Sequence, residues 1–108
     1  MITETRYQGW KNYETWLVKL WIDNDQASAE DWQARAKGEY EDAEADKVFT
    51  KLERAKLNLA DDLKAEFEDN APELQGCYAD LLNAALSEVD WYEIAENVLA
   101  EIEVEAKA

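Results

Sequence analysis

Gly9-Trp10-Lys11-Asn12-Tyr13-Glu14-Thr15-Trp16-Leu17-Val18-Lys19-Leu20-Trp21-Ile22-Asp23-Asn24-Asp25 is the stretch whose reading decides the fold. It carries three of the five tryptophans of the chain. From Tyr13 the large apolar residues Tyr13, Trp16, Leu17, Leu20 and Trp21 recur at i, i+3, i+4, i+7 and i+8, the period of an amphipathic helix. Asn12 can cap that helix by accepting from an unpaired amide of its first turn, and Asn24 between two aspartates marks a stop. An aromatic-rich helix buries much apolar area in few residues, so Trp16 and Trp21 are expected in the core.

Working outward, the same period recurs along the chain. Ser28-Ala29-Glu30-Asp31 predicts a helix running to roughly Ala45, with a thin stripe of Ala29, Trp32, Ala36, Tyr40 and Ala43. That helix is expected on the outside of the domain, with a kink or break near Gly38. Thr50-Lys51-Leu52-Glu53 is a capping box, an N-cap hydroxyl followed three residues later by Glu, and opens a helix over 51–69. Asn70-Ala71-Pro72 ends it, because the residue before proline is forced out of helical geometry. A fourth helix is expected over 77–87, with Tyr78, Leu81, Leu82, Ala85 and Leu86 inward. Asp90 opens a fifth over 91–104, with Trp91, Ile94, Ala95, Val98 and Ile102 inward. Residues 1–9, in which Ile2, Thr3, Thr5 and Tyr7 alternate weakly, read as an extended arm packing on the helices.

Only three glycines and one proline interrupt the 108 residues, and no period of 20 to 50 residues repeats. The expected fold is all-α, a four- to five-helix bundle in one domain spanning residues 1–108. One cysteine, Cys77, excludes an intramolecular disulfide. With no basic-then-apolar leader and no apolar run of membrane-spanning length, the expected location is the cytosol.

At this point the residues resemble a known family. The Gly9 to Asp25 stretch, above all Asn12-Tyr13-Glu14-Thr15-Trp16, is similar to the opening of a family of small acidic proteins found in bacterial genomes and on phages and other mobile elements. Ala79-Asp80-Leu81-Leu82-Asn83-Ala84-Ala85-Leu86-Ser87-Glu88-Val89-Asp90-Trp91 and the segment from Phe49 to Leu63 also resemble it. The family brings no assigned activity, hence no catalytic residues; the resemblance implies only a context, small proteins that act against host defence or host regulation.

Several chemistries are disfavoured by residue type. The chain has no histidine and a single cysteine, so neither a thiolate zinc site nor a Ser-His or Cys-His nucleophile can be built. Asp23-Asn24-Asp25 fails as a calcium loop, because Ala27, Ser28 and Ala34 stand at loop positions five, six and twelve. No glycine-rich phosphate loop is present. Carboxylates on exposed helices are solvated unless two environments push their proton affinities apart. The expectation is a non-enzyme without metal or cofactor. The enzyme alternative requires acids from different helices converging on Mg²⁺ or Mn²⁺.

Charge carries the functional expectation. The formal net charge is −15, which disfavours nucleic acid and anionic membranes as direct partners and favours cationic proteins. Acid surplus grows along the chain, to one Lys against nine Asp and Glu in residues 73–108. Acids three or four apart on a helix lie about 5–6 Å apart at Cβ, a spacing comparable to that of neighbouring phosphates on a strand. An acidic face formed by Asp61, Asp62, Glu66, Asp69, Asp90, Glu93, Glu96, Glu101 and Glu103 is therefore expected to enter the Lys- and Arg-lined groove of a nucleic-acid-binding protein. Such a protein is an inhibitor of the anti-CRISPR or anti-restriction type. The alternative is a regulatory or adaptor module, or a homodimer, contacting its partner through Trp10, Trp32 and Tyr40.

Overall fold

A computed structural model describes residues 6–102 of the chain. Five helices follow one another: α1 (Tyr13–Asn24), α2 (Gln26–Asp42), α3 (Lys51–Asp69), α4 (Cys77–Ser87) and α5 (Trp91–Ile102). The fold is all-α, and among the described residues extended pairing is limited to one bridge between Tyr7 and Trp10.

The centre is α5, which packs against α1, α2 and α3. Its residues Trp91, Ile94, Ala95, Val98 and Leu99 are buried, at the i, i+3, i+4, i+7 spacing of one helix face. Facing them are Leu59 and Leu63 of α3, Trp32 and Ala36 of α2, and Ile22 of α1. A fully buried Ile, Leu or Val side chain contributes about 1.5–3 kcal/mol, so this face dominates the stability of the domain. Small residues at Ala36, Ala55 and Ala95 are all fully buried and leave room for close helix approach.

Local signals set most helix ends. Asn12 Oδ1 accepts from Thr15 N–H at 2.9 Å and starts α1. Thr50 and Glu53 form the reciprocal capping box of α3, at 3.0 and 2.9 Å. Asp90 Oδ1 accepts from Glu93 N–H at 3.0 Å and starts α5. Positions 103 and 104, expected to continue α5, lie outside the described residues, as do Ile2, Thr3 and Thr5 of the expected arm.

Elsewhere the structure corrects the sequence reading. The N-cap of α2 is Asp25 rather than Ser28; its carboxylate accepts from Ala27 N–H and Ser28 N–H, and α1 and α2 meet at this one residue. The helix ends at Asp42 rather than Ala45. Lys51 Nζ donates to the carbonyls of Ala43 and Glu41, closing the helix end, and its ammonium stands over the Tyr40 ring. Asp46 then folds an Asx turn by accepting from Val48 N–H and Phe49 N–H, both at 2.8 Å. There is no break at Gly38. Nor is α2 peripheral: it packs on α1, α3 and α5, because Ala36 lets neighbours approach and Trp32 fills the space between them.

The largest correction concerns α1. Its buried residues are Thr15, Lys19 and Ile22, while Trp21 is 67% exposed and Tyr13 48% exposed. At 100° per residue that buried line lies roughly half a turn from the Tyr13–Trp16–Leu17–Leu20–Trp21 stripe. The residues before the helix partly cover the aromatic side. Tyr7-Gln8-Gly9-Trp10 is a tight turn with positive φ at Gln8 and Gly9, and its paired Tyr7 and Trp10 amides bond at 2.7 Å. The turn places the Tyr7 ring edge-on to Tyr13 and Trp16, with centroids 5.1 and 4.9 Å away. In α4 the expected inward face is only partly covered: Leu82, Ala85 and Leu86 are half-buried, Leu86 against the core. No residue of that helix is buried, and Tyr78 and Leu81 are 71% and 59% exposed.

Candidate acidic interface

The acids of α5 are anchored rather than free. Glu93 bonds the Arg6 guanidinium and accepts from Lys11 N–H at 2.9 Å. Glu96 pairs with Lys56 at 3.2 Å, across to α3. Glu101 pairs with Lys19 at 2.9 Å and accepts from Gln33. Asp90 is the helix cap. Glu93, Glu96 and Glu101 therefore each tie α5 to a neighbouring element, so no uninterrupted anionic row runs along its described residues. Glu103, the last of the expected row, lies outside the described residues.

Lys19 is the hub of one such tie. Its side chain is 4% exposed, yet its ammonium bonds both Asp23 oxygens, at 2.8 and 2.7 Å, as well as Glu101. The aliphatic stem is buried with Ile22, and the charge is met by two carboxylates nearer solvent. Nothing in the local sequence distinguishes Lys19 from a surface lysine.

Acids of a different kind gather where α2 and α3 run side by side. Arg35 of α2 pairs with Glu66 of α3 at 3.0 Å, and Glu39 of α2 meets Asp62 of α3. The matching steps, four residues on along α2 and four back along α3, define an antiparallel seam. Glu39 is pushed up to about 7 from an ordinary 4.5, first by its hydrogen bond to the Asp62 carboxyl, then by partial burial and by the charges of Asp62 and Asp42. Arg35 opposes the shift without overcoming it. Asp69 continues the α3 side of the seam, and Asp61 faces solvent beside it; neither forms an ion pair among the described residues. The structure thus places Asp62, Glu66 and Asp69 along one side of α3 and adds Glu39 and Asp42, which sequence reasoning missed. The antiparallel register of α2 on α3 is the missing information.

The aromatic residues divide differently from the expectation. Trp32 is 5% exposed and belongs to the core, with the Arg35 guanidinium 4.1 Å from its ring, so it cannot serve as a surface contact. Trp10 is half-buried against the core and lines a shallow groove with Glu93, Glu96 and Asn97. Tyr40 is half-buried under Lys51. Trp21, expected inside, is the exposed tryptophan, at the edge of a groove shared with Asn24, Asp25, Ser28 and Phe67.

Among the described residues no group of three His, Cys, Asp or Glu is placed to hold a metal ion, and no helix is long and apolar enough to cross a membrane. Cys77 is exposed and unpaired at the start of α4. Neither the curated proteins nor the solved structures include one that matches this chain. A family model does match, over residues 3–106, and the chain belongs to that family, DUF7249, a family of unknown function.

Proposed function

We propose that this protein is an inhibitor that occupies the cationic nucleic-acid groove of a host defence effector, of the anti-CRISPR or anti-restriction type, and that it is carried by phages or other mobile elements. The observation that supports this reading best is a surplus of carboxylate that the protein's own bases leave uncompensated. The net charge is −15, and at the α2–α3 seam two acids are held against each other although the contact raises the proton affinity of Glu39. Like charges three or four apart on a helix each cost about 0.2–0.5 kcal/mol, so a face of this kind weakens the fold that carries it. A cationic groove would relieve that repulsion on binding and supply the favourable counter-charge.

The acids that carry this reading are Asp61, Asp62 and Asp69 of α3 with Glu39 and Asp42 of α2; Glu66 beside them is paired with Arg35. Glu93, Glu96 and Glu101 serve the fold. The test is competition: a purified DNA-cleaving defence nuclease is incubated with the protein, and DNA binding is followed by gel shift at low and high salt. Loss of the shifted band at low salt, its return at high salt, and failure of an Asp62→Lys/Asp69→Lys variant to compete are the expected results. Nucleases that bind and cleave DNA equally well in saturating protein would sink the proposal.

A second reading, an adaptor that binds its partner through an aromatic contact, is favoured by the 67% exposure of Trp21. It moves the contact from Trp32 to Trp21. Trp21→Ser would then abolish partner binding while leaving the salt dependence of the nuclease assay unchanged.

A further inference from the structure

Helix α4 is loosely attached to the body. It contacts the other helices sparsely; Leu86 is its side chain packed against the core, and Val89 follows in the buried turn to α5. Tyr78 and Leu81, at i and i+3, point outward at 71% and 59% exposure, and Leu74 in the preceding loop is 42% exposed. Single exposed apolar residues are ordinary, but here three large ones cluster on and beside a helix that has no buried residue. The amphipathic pattern that predicted an inward face is real, but only its Leu82, Ala85 and Leu86 side is half-buried; within the described residues Tyr78 and Leu81 are left exposed.

Charge selects what can. After Lys64 no Lys or Arg occurs up to residue 102, whereas Glu73, Asp80 and Glu88 lie within or immediately beside α4. Those three acids are exposed and enter no ion pair among the described residues. Packing α4 against α4 of a second copy would set these uncompensated acids against their equivalents. Anionic lipid surfaces are repelled for the same reason. The complement of an apolar stripe with an acidic rim is an apolar stripe with a basic rim. Lys64, Glu68 and Ala71 of α3 and the loop after it form with Asn83, Leu86 and Ser87 a cleft of about 500 Å³ on the other side of α4, roughly half a turn around the helix from Tyr78 and Leu81. On α3, Lys64 and Glu68 lie well around the helix from Asp62 and Glu66, at 100° per residue, so this surface is separate from the α2–α3 seam.

We infer that the outward face of α4, centred on Tyr78 and Leu81, is a docking site for a cationic amphipathic helix of a partner protein. Its apolar side covers Tyr78, Leu81 and Leu74, and its Lys and Arg residues meet Glu73, Asp80 and Glu88. The site does not depend on what the seam binds.

The probe is a synthetic amphipathic helix of Leu and Lys, titrated into the full-length protein by calorimetry and by NMR amide shifts. Two control peptides carry Ser in place of Leu and Glu in place of Lys. Shifts concentrated between residues 74 and 88 are expected. Affinity should fall about tenfold or more in a Tyr78→Ser/Leu81→Ser variant, and by a similar factor for each control peptide on the wild type. Both substituted residues are exposed, and a circular dichroism spectrum verifies that the variant keeps its helices. Equal affinity for wild type and variant, or shifts spread over the acidic surface without focus on α4, would overturn the inference by reducing binding to bulk charge. A wild-type dimer in sedimentation that the double variant converts to a monomer would overturn it too, by showing that a second copy covers the face.

Discussion

Thr15 Oγ1 accepts the backbone N–H of Asp90 at 2.9 Å, joining the first turn of α1 to the N-cap of α5 across 75 positions of sequence. The same hydroxyl donates to Asn12 Oδ1 at 2.6 Å, and Asn12 Nδ2 donates to the Glu88 carbonyl at 2.6 Å. Asn12 and Thr15 of the Asn-Tyr-Glu-Thr-Trp motif thus clamp the turn between α4 and α5. Their placement accounts for the motif as a structural device, with no catalytic role required. Thr15 is fully buried, so Thr15→Val, which keeps the shape and loses the hydroxyl, strands the Asp90 amide. The expected cost is about 1–3 kcal/mol in urea denaturation. Thr15→Ser should recover much of it; equal stability of the Val and wild-type proteins would show the bond to be immaterial.

Lys19 distinguishes packing from charge. Lys19→Ala removes a buried stem as well as two ion pairs, and an expected loss of about 2–4 kcal/mol follows by analogy with large-to-small core changes. Lys19→Met keeps the stem. Asp23 and Glu101 reach solvent, so losing their counter-ion leaves no fully buried charge. The Met variant should therefore stay within about 1.5 kcal/mol of wild type. A Met variant as unstable as the Ala variant would place the energy in the ion pairs instead.

Glu39 gives a pH dependence of definite sign. With its proton held up to about 7 in the folded chain against an ordinary 4.5, the folded state binds the proton more tightly than the unfolded state. Its contribution to stability is present in full below 4.5 and is lost as pH rises through about 7. Glu39→Gln holds the neutral form at every pH, so thermal melts of the variant between those values should show a flatter pH slope than the wild type. At pH 8 the variant should be the more stable of the two. Asp46, held below its ordinary 3.8 by the Phe49 and Val48 amides and by Arg54, acts in the opposite sense: its stabilising contribution is lost as pH falls below that range.

The tryptophans separate by burial. Trp32→Ala empties a core site and should cost about 3–5 kcal/mol, while Trp21→Ser should leave the melting midpoint nearly unchanged, within about 0.5 kcal/mol. Acrylamide quenching of the wild-type fluorescence should fall chiefly on Trp21, and its loss in Trp21→Ser would verify the assignment. Quenching that persists undiminished in that variant would contradict the orientation of α1.

By itself the sequence determined the helices, because the signals that start and stop them act within one turn. Asn12, Thr50 with Glu53, and Asp90 each bond an amide three residues ahead, and Pro72 acts on its immediate neighbour. Periodicity likewise picked out most of the buried face of α5, including Trp91, Ile94, Ala95 and Val98. Tertiary structure alone decided how α1 is turned, which acids are free, and what α4 leaves uncovered. The aromatic stripe of α1 is the more hydrophobic side, yet the Thr15–Asp90 bond and the Lys19–Glu101 ion pair orient the opposite side inward. Those partners lie more than 70 positions away and leave no trace in the local pattern. The acids of α5 and the seam look alike as text. Only the packing of distant segments sets Glu93, Glu96, Glu101 and Glu66 beside bases while holding Glu39 against Asp62.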